Sequence, residues 1–241
     1  KVSDWSEYYD DIFTKLHADI MDIKEFKLAD GTPFTVVCNH GGVSQSFDYG
    51  DTYENIGLFT LNIGQYYSVA THPENREWIF AGSQDQGFQR GKINGEDVSS
   101  LDQVISGDYG HIVFSGEDHN MWTVYPWSSI SYYDNPLIQD PTNWWSLPRD
   151  QSNASAWIPP LVAHPDKSRN SIFLAGGSMT ADNGSYLIRL DVNEFGQIEA
   201  TQYDHNFKSL GGDVSAIGFN EFDHDQIYIL TANGIAFKSD D

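Results

Sequence analysis

The chain has 241 residues, of which 39% are hydrophobic and 14% aromatic, a composition typical of a globular protein rather than a disordered one. Its 35 acidic and 13 basic residues give a formal net charge of −22, so we expect neither nucleic acid nor an anionic membrane as partner. No apolar run approaches the roughly 18 residues of a membrane helix, and we expect no membrane insertion. Such acidity is common in secreted proteins. The alternative is Ca²⁺ binding on carboxylate-rich loops, for which the sequence has no motif, so no cofactor is predicted.

The first predicted element is a short helix or ordered lead-in at residues 6–16, SEYYDDIFTKL. After it, five segments share one pattern: an apolar alternating strand, a polar turn, a second β-rich strand and a glycine turn. A period of roughly 40 to 50 residues made of strands and turns indicates four-stranded propeller blades. The first strands lie about 46 residues apart, with a longer last interval, and end near Phe26, His72, Gly116, His164 and Asn220.

The sequence therefore predicts an all-β fold, in which a single β-propeller domain is built of four-stranded blades. Each blade is covered on both faces by its neighbours, which explains strands rich in Ile, Val, Phe and Trp. The turns carry the Asp, Asn and Gly residues. About four to five blades are fewer than most rings contain, so we expect the chain to be part of a larger propeller. The predicted blades span residues 17–56, 62–105, 106–147, 155–205 and 211–241, the last of them incomplete.

The octet SFDYGDTY, residues 46–53, is interpreted as a turn rather than a catalytic site. Aspartate accepts hydrogen bonds from the backbone of its own turn, serine and threonine hydroxyls reinforce them, and glycine supplies a positive φ. The pattern resembles the Asp-box, or BNR repeat, of sialidase-like propellers. That resemblance implies a hairpin between the two outer strands of a blade, away from the ligand pocket. The residues given this structural role are Ser46, Asp48, Gly50, Thr52 and Tyr53.

Four further motifs surround the octet: LHADIMDI at 16–23, QYYSVA at 65–70, GSQDQG at 82–87 and GDYG at 107–110. Together they resemble the BNR-repeat proteins related to the sortilin (VPS10) domain and to family 74 glycoside hydrolases, over about residues 16–125. The resemblance implies a propeller that is secreted or lies at the cell surface. Near the end of the chain, Ser239 and Asp241 match the first two positions of a second Asp-box, and we expect the ring to continue beyond it.

Two functions remain open. The first is a binding or scaffolding module for a protein or a polysaccharide at the cell surface. The second is a glycoside hydrolase resembling the family 74 enzymes, with Asp85 and Asp108 as its catalytic residues. A glycosidase needs two carboxylates about 5 to 10 Å apart, a separation that the sequence does not give. The competing interpretation is that both aspartates brace turns.

His17 and Asp19 alternate on one strand face and form either a metal pair or an acid–base pair. The alternative is a structural histidine bonded to a neighbouring blade. His205 and His224 lie beside acidic residues but lack the spacing of a zinc site, so the sequence assigns no metal site beyond the open metal-pair interpretation of His17 and Asp19. Gln84, beside Asp85, and His111, directly after the Asp108 turn, are candidate binding residues.

A tryptophan cluster offers a further binding surface, because exposed indoles can stack on sugar rings. Its alternative fate is packing between blades. Trp122 is the predicted binding residue of this cluster, which also contains Trp127, Trp144 and Trp145.

Overall fold

The computed structural model describes residues 4–58, 64–95, 99–138, 140–148, 156–180, 182–220 and 222–239. Within these ranges the protein consists mainly of short antiparallel strands, which confirms the all-β class. The predicted short helix is confirmed in its first part only: α1 spans Trp5–Asp10, and residues 11–16 follow as a non-helical lead-in. Its first turn is stabilised by the Glu7 carboxylate, which accepts a 2.9 Å hydrogen bond from the Asp4 backbone N–H. Among the described helices, none is long and apolar enough to cross a membrane.

The first sheet has the strand order β1-β2-β3-β4, so strands that are neighbours in the chain are neighbours in space. Ile20 pairs with Asn39, and Asn39 pairs with Gly42, which brings the start of β1 beside the β2–β3 turn. The opposite end of the sheet holds the octet turn, since Thr35 pairs with Ser46. The strands are β1 (Ile20–Lys27), β2 (Pro33–Asn39), β3 (Gly42–Ser46) and β4 (Glu54–Asn55).

The other four sheets repeat this sequential antiparallel order, three with four strands and the last with three, and none closes on itself within the described ranges. The second sheet contains β5 (Tyr66–Thr71), β6 (Trp78–Ser83), β7 (Gly87–Lys92) and β8 (Asp102–Ile105). The third contains β9 (Ile112–Ser115), β10 (Asn120–Tyr125), β11 (Ser129–Tyr133) and β12 (Asn143–Ser146). The fourth contains β13 (Leu161–Ala163), β14 (Ser171–Ala175), β15 (Leu187–Val192) and β16 (Ile198–Gln202). The fifth contains β17 (Val214–Asn220), β18 (Asp223–Thr231) and β19 (Ala236–Ser239), preceded by a 3-10 helix, Phe207–Ser209.

The chain divides into two compact units. The first consists of the residues up to Tyr66 together with Ser83–Gln86, and the second of Tyr67–Gly82 and the residues from Gly87 onward. In the first unit, Val37 and the ring of Tyr8 are buried, whereas β1 is exposed at all eight positions.

In the second unit the apolar core lies between successive sheets. One buried cluster joins Phe80 and Phe88 of the second sheet to Met121 of the third. Further clusters join the third sheet to the fourth and the fourth to the fifth. All five residues of β14, SIFLA, are therefore buried, as expected for a strand covered on both faces.

Candidate functional site

Two histidines and two aspartates from separate stretches of the first unit lie together. His17 and Asp19 come just before β1, His40 occupies the β2–β3 turn, and Asp85 lies in the β6–β7 turn. The sheet register explains the first three positions, because the start of β1 and the β2–β3 turn share one end of the sheet. We call these four residues the His–Asp cluster.

The tightest contact of the His–Asp cluster joins His40 Nδ1 to Asp85 Oδ2, at 2.6 Å. His40 Nδ1 also lies 3.9 Å from Asp19 Oδ2, and His17 Nδ1 lies 4.0 Å from the same oxygen. The Ala18 carbonyl oxygen, 2.9 Å from His17 Nδ1, holds that ring in its orientation. His17, Asp19 and Asp85 each place one ligand-type atom within 4.8 Å of the other two.

The cluster is open on one side. The His17 ring is buried, and the side chains of His40 and Asp85 are partly buried, but the Asp19 side chain is 53% exposed. A cavity of about 240 Å³ lies beside His40, with Gln65 among its lining residues. A small ligand or ion can therefore reach the carboxylates from solvent.

Tyr8 of α1 supports the buried side of the cluster. Its ring is 2% exposed and meets the His17 ring edge-on, with centroids 4.7 Å apart and an interplanar angle of 87°. Gln86 Nε2 donates a hydrogen bond to Tyr8 Oη at 3.3 Å. Burial raises the pKa of Tyr8, the Gln86 hydrogen bond lowers it, and the nearby Asp85 carboxylate raises it. The phenol therefore stays neutral at physiological pH and fixes the His17 ring by packing.

The β2–β3 turn is held close to this aromatic pair. Asn55 Nδ2 donates to the carbonyl oxygens of Ile12 and Gly41, at 3.2 and 3.0 Å, and so ties the lead-in segment to the turn. A Cβ at position 41 would lie 2.6 Å from Tyr8 Oη and 2.8 Å from His17 Cβ, closer than side-chain atoms pack. Glycine is therefore required here by space.

Both aspartates of the cluster adopt a left-handed backbone conformation, with φ of 58° at Asp19 and 59° at Asp85. Aspartate tolerates this region better than most residues, but it still costs about 1 kcal/mol. Non-glycine residues in this conformation concentrate at binding and catalytic sites.

The cluster has two chemical capabilities. An imidazole hydrogen-bonded to a carboxylate can accept or donate a proton, as in general acid–base catalysis. Imidazole and carboxylate groups are also the ligands of divalent transition-metal ions.

The remaining predicted catalytic and binding residues are distributed over the two units. Gln84 lies beside Asp85, and its backbone N–H donates to the Gln65 carbonyl oxygen at 3.3 Å. Asp108 and His111 precede β9 in the second unit and are partly buried, and burial lowers the pKa of His111. The pairing of Asp85 with Asp108 stays a prediction.

Trp122 does not form a stacking platform. Its ring is 0% exposed, and its Nε1 donates a 2.7 Å hydrogen bond to Ser115 Oγ in the adjacent strand. The reason is that β10 is covered on both faces, so an indole on this strand packs in the core between the third and fourth sheets. An indole inside that core is not available to a ligand.

Trp127 and Trp157 form an exposed aromatic pair in the second unit. They are 59% and 44% exposed, and their ring centroids lie 4.7 Å apart at an interplanar angle of 85°. Trp127 N donates to the Trp157 carbonyl oxygen at 3.1 Å, which fixes the two backbones together. The two indoles therefore make a corner that is open to solvent.

The octet turn at the other end of the first sheet uses its carboxylate internally. Asp48 accepts hydrogen bonds from Thr52 N at 2.9 Å, Thr52 Oγ1 at 2.6 Å and Ser46 Oγ at 2.7 Å. These bonds, led by those from Thr52, lower the pKa of Asp48 to about 2. Gly50 has a φ of 87° and faces the Tyr53 hydroxyl. The side chains of the turn thus serve its own backbone.

Two residues of these sites were missed from the sequence. His40 lies between the second and third strands of its segment, as Asp85 does in the next segment, and aligning the two turns would have marked it. Trp157 stands alone before β13, and only its spatial contact with Trp127 identifies it.

Comparison of the chain with models of known protein families and with curated proteins found no match.

Proposed function

We propose that this chain is part of a secreted or cell-surface β-propeller with BNR/Asp-box character, and that it acts as a binding module for polysaccharide. The observation that carries the binding role is the exposed corner formed by Trp127 and Trp157. Support for the propeller comes from five sequential antiparallel sheets. Within the second unit, the second to fifth sheets also pack against one another in chain order. The internally bonded octet turn adds to that support.

The corner has the chemistry of a sugar-binding platform. An indole face stacks on the apolar face of a pyranose ring, and the second indole, nearly perpendicular, borders the edge of that ring. A ligand that covers the exposed indoles removes their apolar surface from water, which favours binding. The net charge of −22 disfavours acidic polysaccharides and leaves neutral ones, such as β-glucans.

The backbone at the corner also points to a role in binding. Trp127 and Ser128 have φ of 58° and 63° and are the last two of the three residues that connect β10 to β11. Glycine and asparagine are preferred at such positions, so a tryptophan there costs about 1 to 2 kcal/mol. Strain of this kind persists where the surrounding structure fixes the conformation, and it clusters at ligand-binding sites.

The test is binding of neutral β-glucans and xyloglucan by affinity gel electrophoresis. Trp127→Ala and Trp157→Ala should each weaken binding at least about tenfold, since an aromatic contact of about 1.5 kcal/mol corresponds to that factor. Trp144→Ala is the matched control, because Trp144 is 60% exposed in β12 and lies outside the pair. Equal losses in all three variants would contradict the platform. Binding of a surface protein, and of no polysaccharide, would transfer the role to a protein partner.

A second candidate function is glycoside hydrolysis with Asp85 and Asp108, resembling the family 74 enzymes. Its specific support is the 2.6 Å contact between Asp85 and His40, a partner able to exchange a proton with the carboxylate. Hydrolysis of the same polysaccharides should then fall by at least about 100-fold in Asp85→Asn and in Asp108→Asn. Full activity in either variant would exclude that residue from catalysis.

A further inference from the structure

We propose that the His–Asp cluster of the first unit binds a divalent transition-metal ion of the Zn²⁺ class, through His17, Asp19 and Asp85. The proposal is independent of the polysaccharide role, because the Trp127–Trp157 corner contains none of these residues.

The position of the ligand atoms supports a metal ion. One ring nitrogen of His17 and one oxygen from each aspartate lie within 4.8 Å of one another. In a tetrahedral Zn²⁺ site with bonds of about 2.0 to 2.1 Å, ligand atoms lie roughly 3.4 Å apart. The Asp19 side chain, 53% exposed, can rotate to close this difference, while the buried His17 ring stays packed against Tyr8. His17 Nδ1 is the ring nitrogen 4.0 Å from Asp19 Oδ2, and to bind the ion it gives up its proton and its 2.9 Å hydrogen bond to the Ala18 carbonyl oxygen. The fourth coordination position of the ion then remains for water or for a ligand that enters from solvent.

The kinds of ligand atom decide which ion is expected. Ca²⁺ takes six to eight oxygen ligands, whereas this cluster combines two carboxylates with an imidazole. Imidazole favours Zn²⁺ and its neighbours among the transition metals. The aspartates bring two negative charges to one place in a chain of net charge −22, and a divalent cation between them relieves their repulsion.

His40 is a positioning residue in this arrangement. Its Nδ1 lies 2.6 Å from Asp85 Oδ2, so it holds the carboxylate that binds the ion. Metal-binding carboxylates are commonly oriented by such hydrogen bonds, and loss of the outer partner typically weakens metal binding 10- to 100-fold. His40→Gln should therefore weaken binding to that extent and leave the stoichiometry at one ion per chain.

The experiment uses the whole chain, freed of metal with a chelator and then titrated with Zn²⁺, Mn²⁺ or Ca²⁺ by calorimetry. Bound metal is counted by mass spectrometry after gel filtration. We expect one Zn²⁺ per chain, bound at least tenfold more tightly than Ca²⁺, and at least tenfold weaker binding in Asp19→Asn. Because the Asp19 side chain is 53% exposed, we expect this variant to keep its fold even if His17→Gln does not. A second readout is the imidazole NMR signal of His17, which should shift with Zn²⁺ in the unaltered protein.

The matched control is His119→Gln in the second unit. His119 Nδ1 lies 3.5 Å from Glu74 Oε2, and both side chains are exposed, so it is a histidine–acid pair outside the cluster. This variant should bind Zn²⁺ as the unaltered protein does. Three results would overturn the proposal: no stoichiometric ion at millimolar Zn²⁺, the same affinity in Asp19→Asn, or tighter binding of Ca²⁺ than of Zn²⁺.

Discussion

Replacing Gly41 by alanine tests the packing that builds the His–Asp cluster. The added Cβ would lie 2.6 Å from Tyr8 Oη, 2.8 Å from His17 Cβ and 2.9 Å from Tyr8 Cε2. Ordinary contacts are about 3.5 to 4.0 Å, so the two rings must move by roughly 1 Å. They cannot do so freely, because both are buried and Asn55 holds the Gly41 carbonyl.

The magnitude follows from two opposing terms. Overpacking of this kind costs about 1 to 3 kcal/mol, and loss of the Gln86–Tyr8 hydrogen bond adds about 1 kcal/mol. Alanine also reduces the conformational entropy of the unfolded chain, which stabilises the folded state by about 0.4 to 1 kcal/mol. The net loss of unfolding free energy is therefore about 2 kcal/mol, or roughly a 30-fold change in the unfolding equilibrium.

The assay is urea unfolding followed by circular dichroism, combined with hydrogen exchange measured on peptides from residues 33–46. Exchange there should quicken in Gly41→Ala. The control is Gly218→Ala in β17, because a Cβ at this position meets no described atom within 4 Å. This variant should leave both readouts unchanged or slightly raise stability. Unchanged exchange and an unchanged unfolding midpoint in Gly41→Ala would refute the packing argument.

Three further predictions follow from the turns. The Asp48 carboxyl should titrate by NMR near pH 2, and a titration midpoint near the ordinary value of about 3.9 would contradict the hydrogen bonding of the turn. Because the pKa of Asp48 is depressed, its contribution to stability is full above about pH 3.9 and is lost as the pH falls through about 2. Burial lowers the pKa of His72 and His164, whose Nδ1 atoms accept backbone hydrogen bonds. The neutral rings therefore stabilise the fold fully above about pH 6.5, and this stabilisation is lost as the pH falls through their lowered pKa. The double variant His72→Asn, His164→Asn should flatten the fall of the unfolding midpoint between about pH 7 and 5, and an equally steep fall would show that these histidines do not cause it. Glu117→Gly in the β9–β10 turn should raise the unfolding free energy by about 0.5 to 1 kcal/mol, because glycine removes the strain of a φ of 58° at an exposed residue and returns part of that gain as unfolded-chain entropy. An unchanged or lower Tm in a thermal scan would show that the strain is not there.

The tryptophans show where sequence reasoning failed. Trp122 and Trp127 are five residues apart on one hairpin, yet the first is 0% exposed and the second 59% exposed. A strand covered on both faces gives no alternation of polar and apolar residues, so the sequence carries no signal for which indole is buried. Trp127 is exposed because it lies in the turn rather than on the strand.

The His–Asp cluster was predicted in part. His17 and Asp19 were paired as alternating residues on one strand face, which was wrong, because both precede β1 and Asp19 has a φ of 58°. Asp85 was marked by its motif, and the sequence did not connect it to the other two. The hydrogen-bonded partner of Asp85 is His40, 45 residues away in the chain. Such a contact depends on strand register and on how one turn meets another, and neither has a local signature.

The sequence by itself determined the all-β class and the short helix at the start of the described chain, because turn residues and strand propensity act locally. It also located the octet turn, whose hydrogen bonds all lie within eight residues. Only the tertiary structure decided which side chains are buried between sheets and which meet at the His–Asp cluster. Those outcomes depend on contacts between distant segments, and the free energy of such contacts exists only once the sheets are formed and packed.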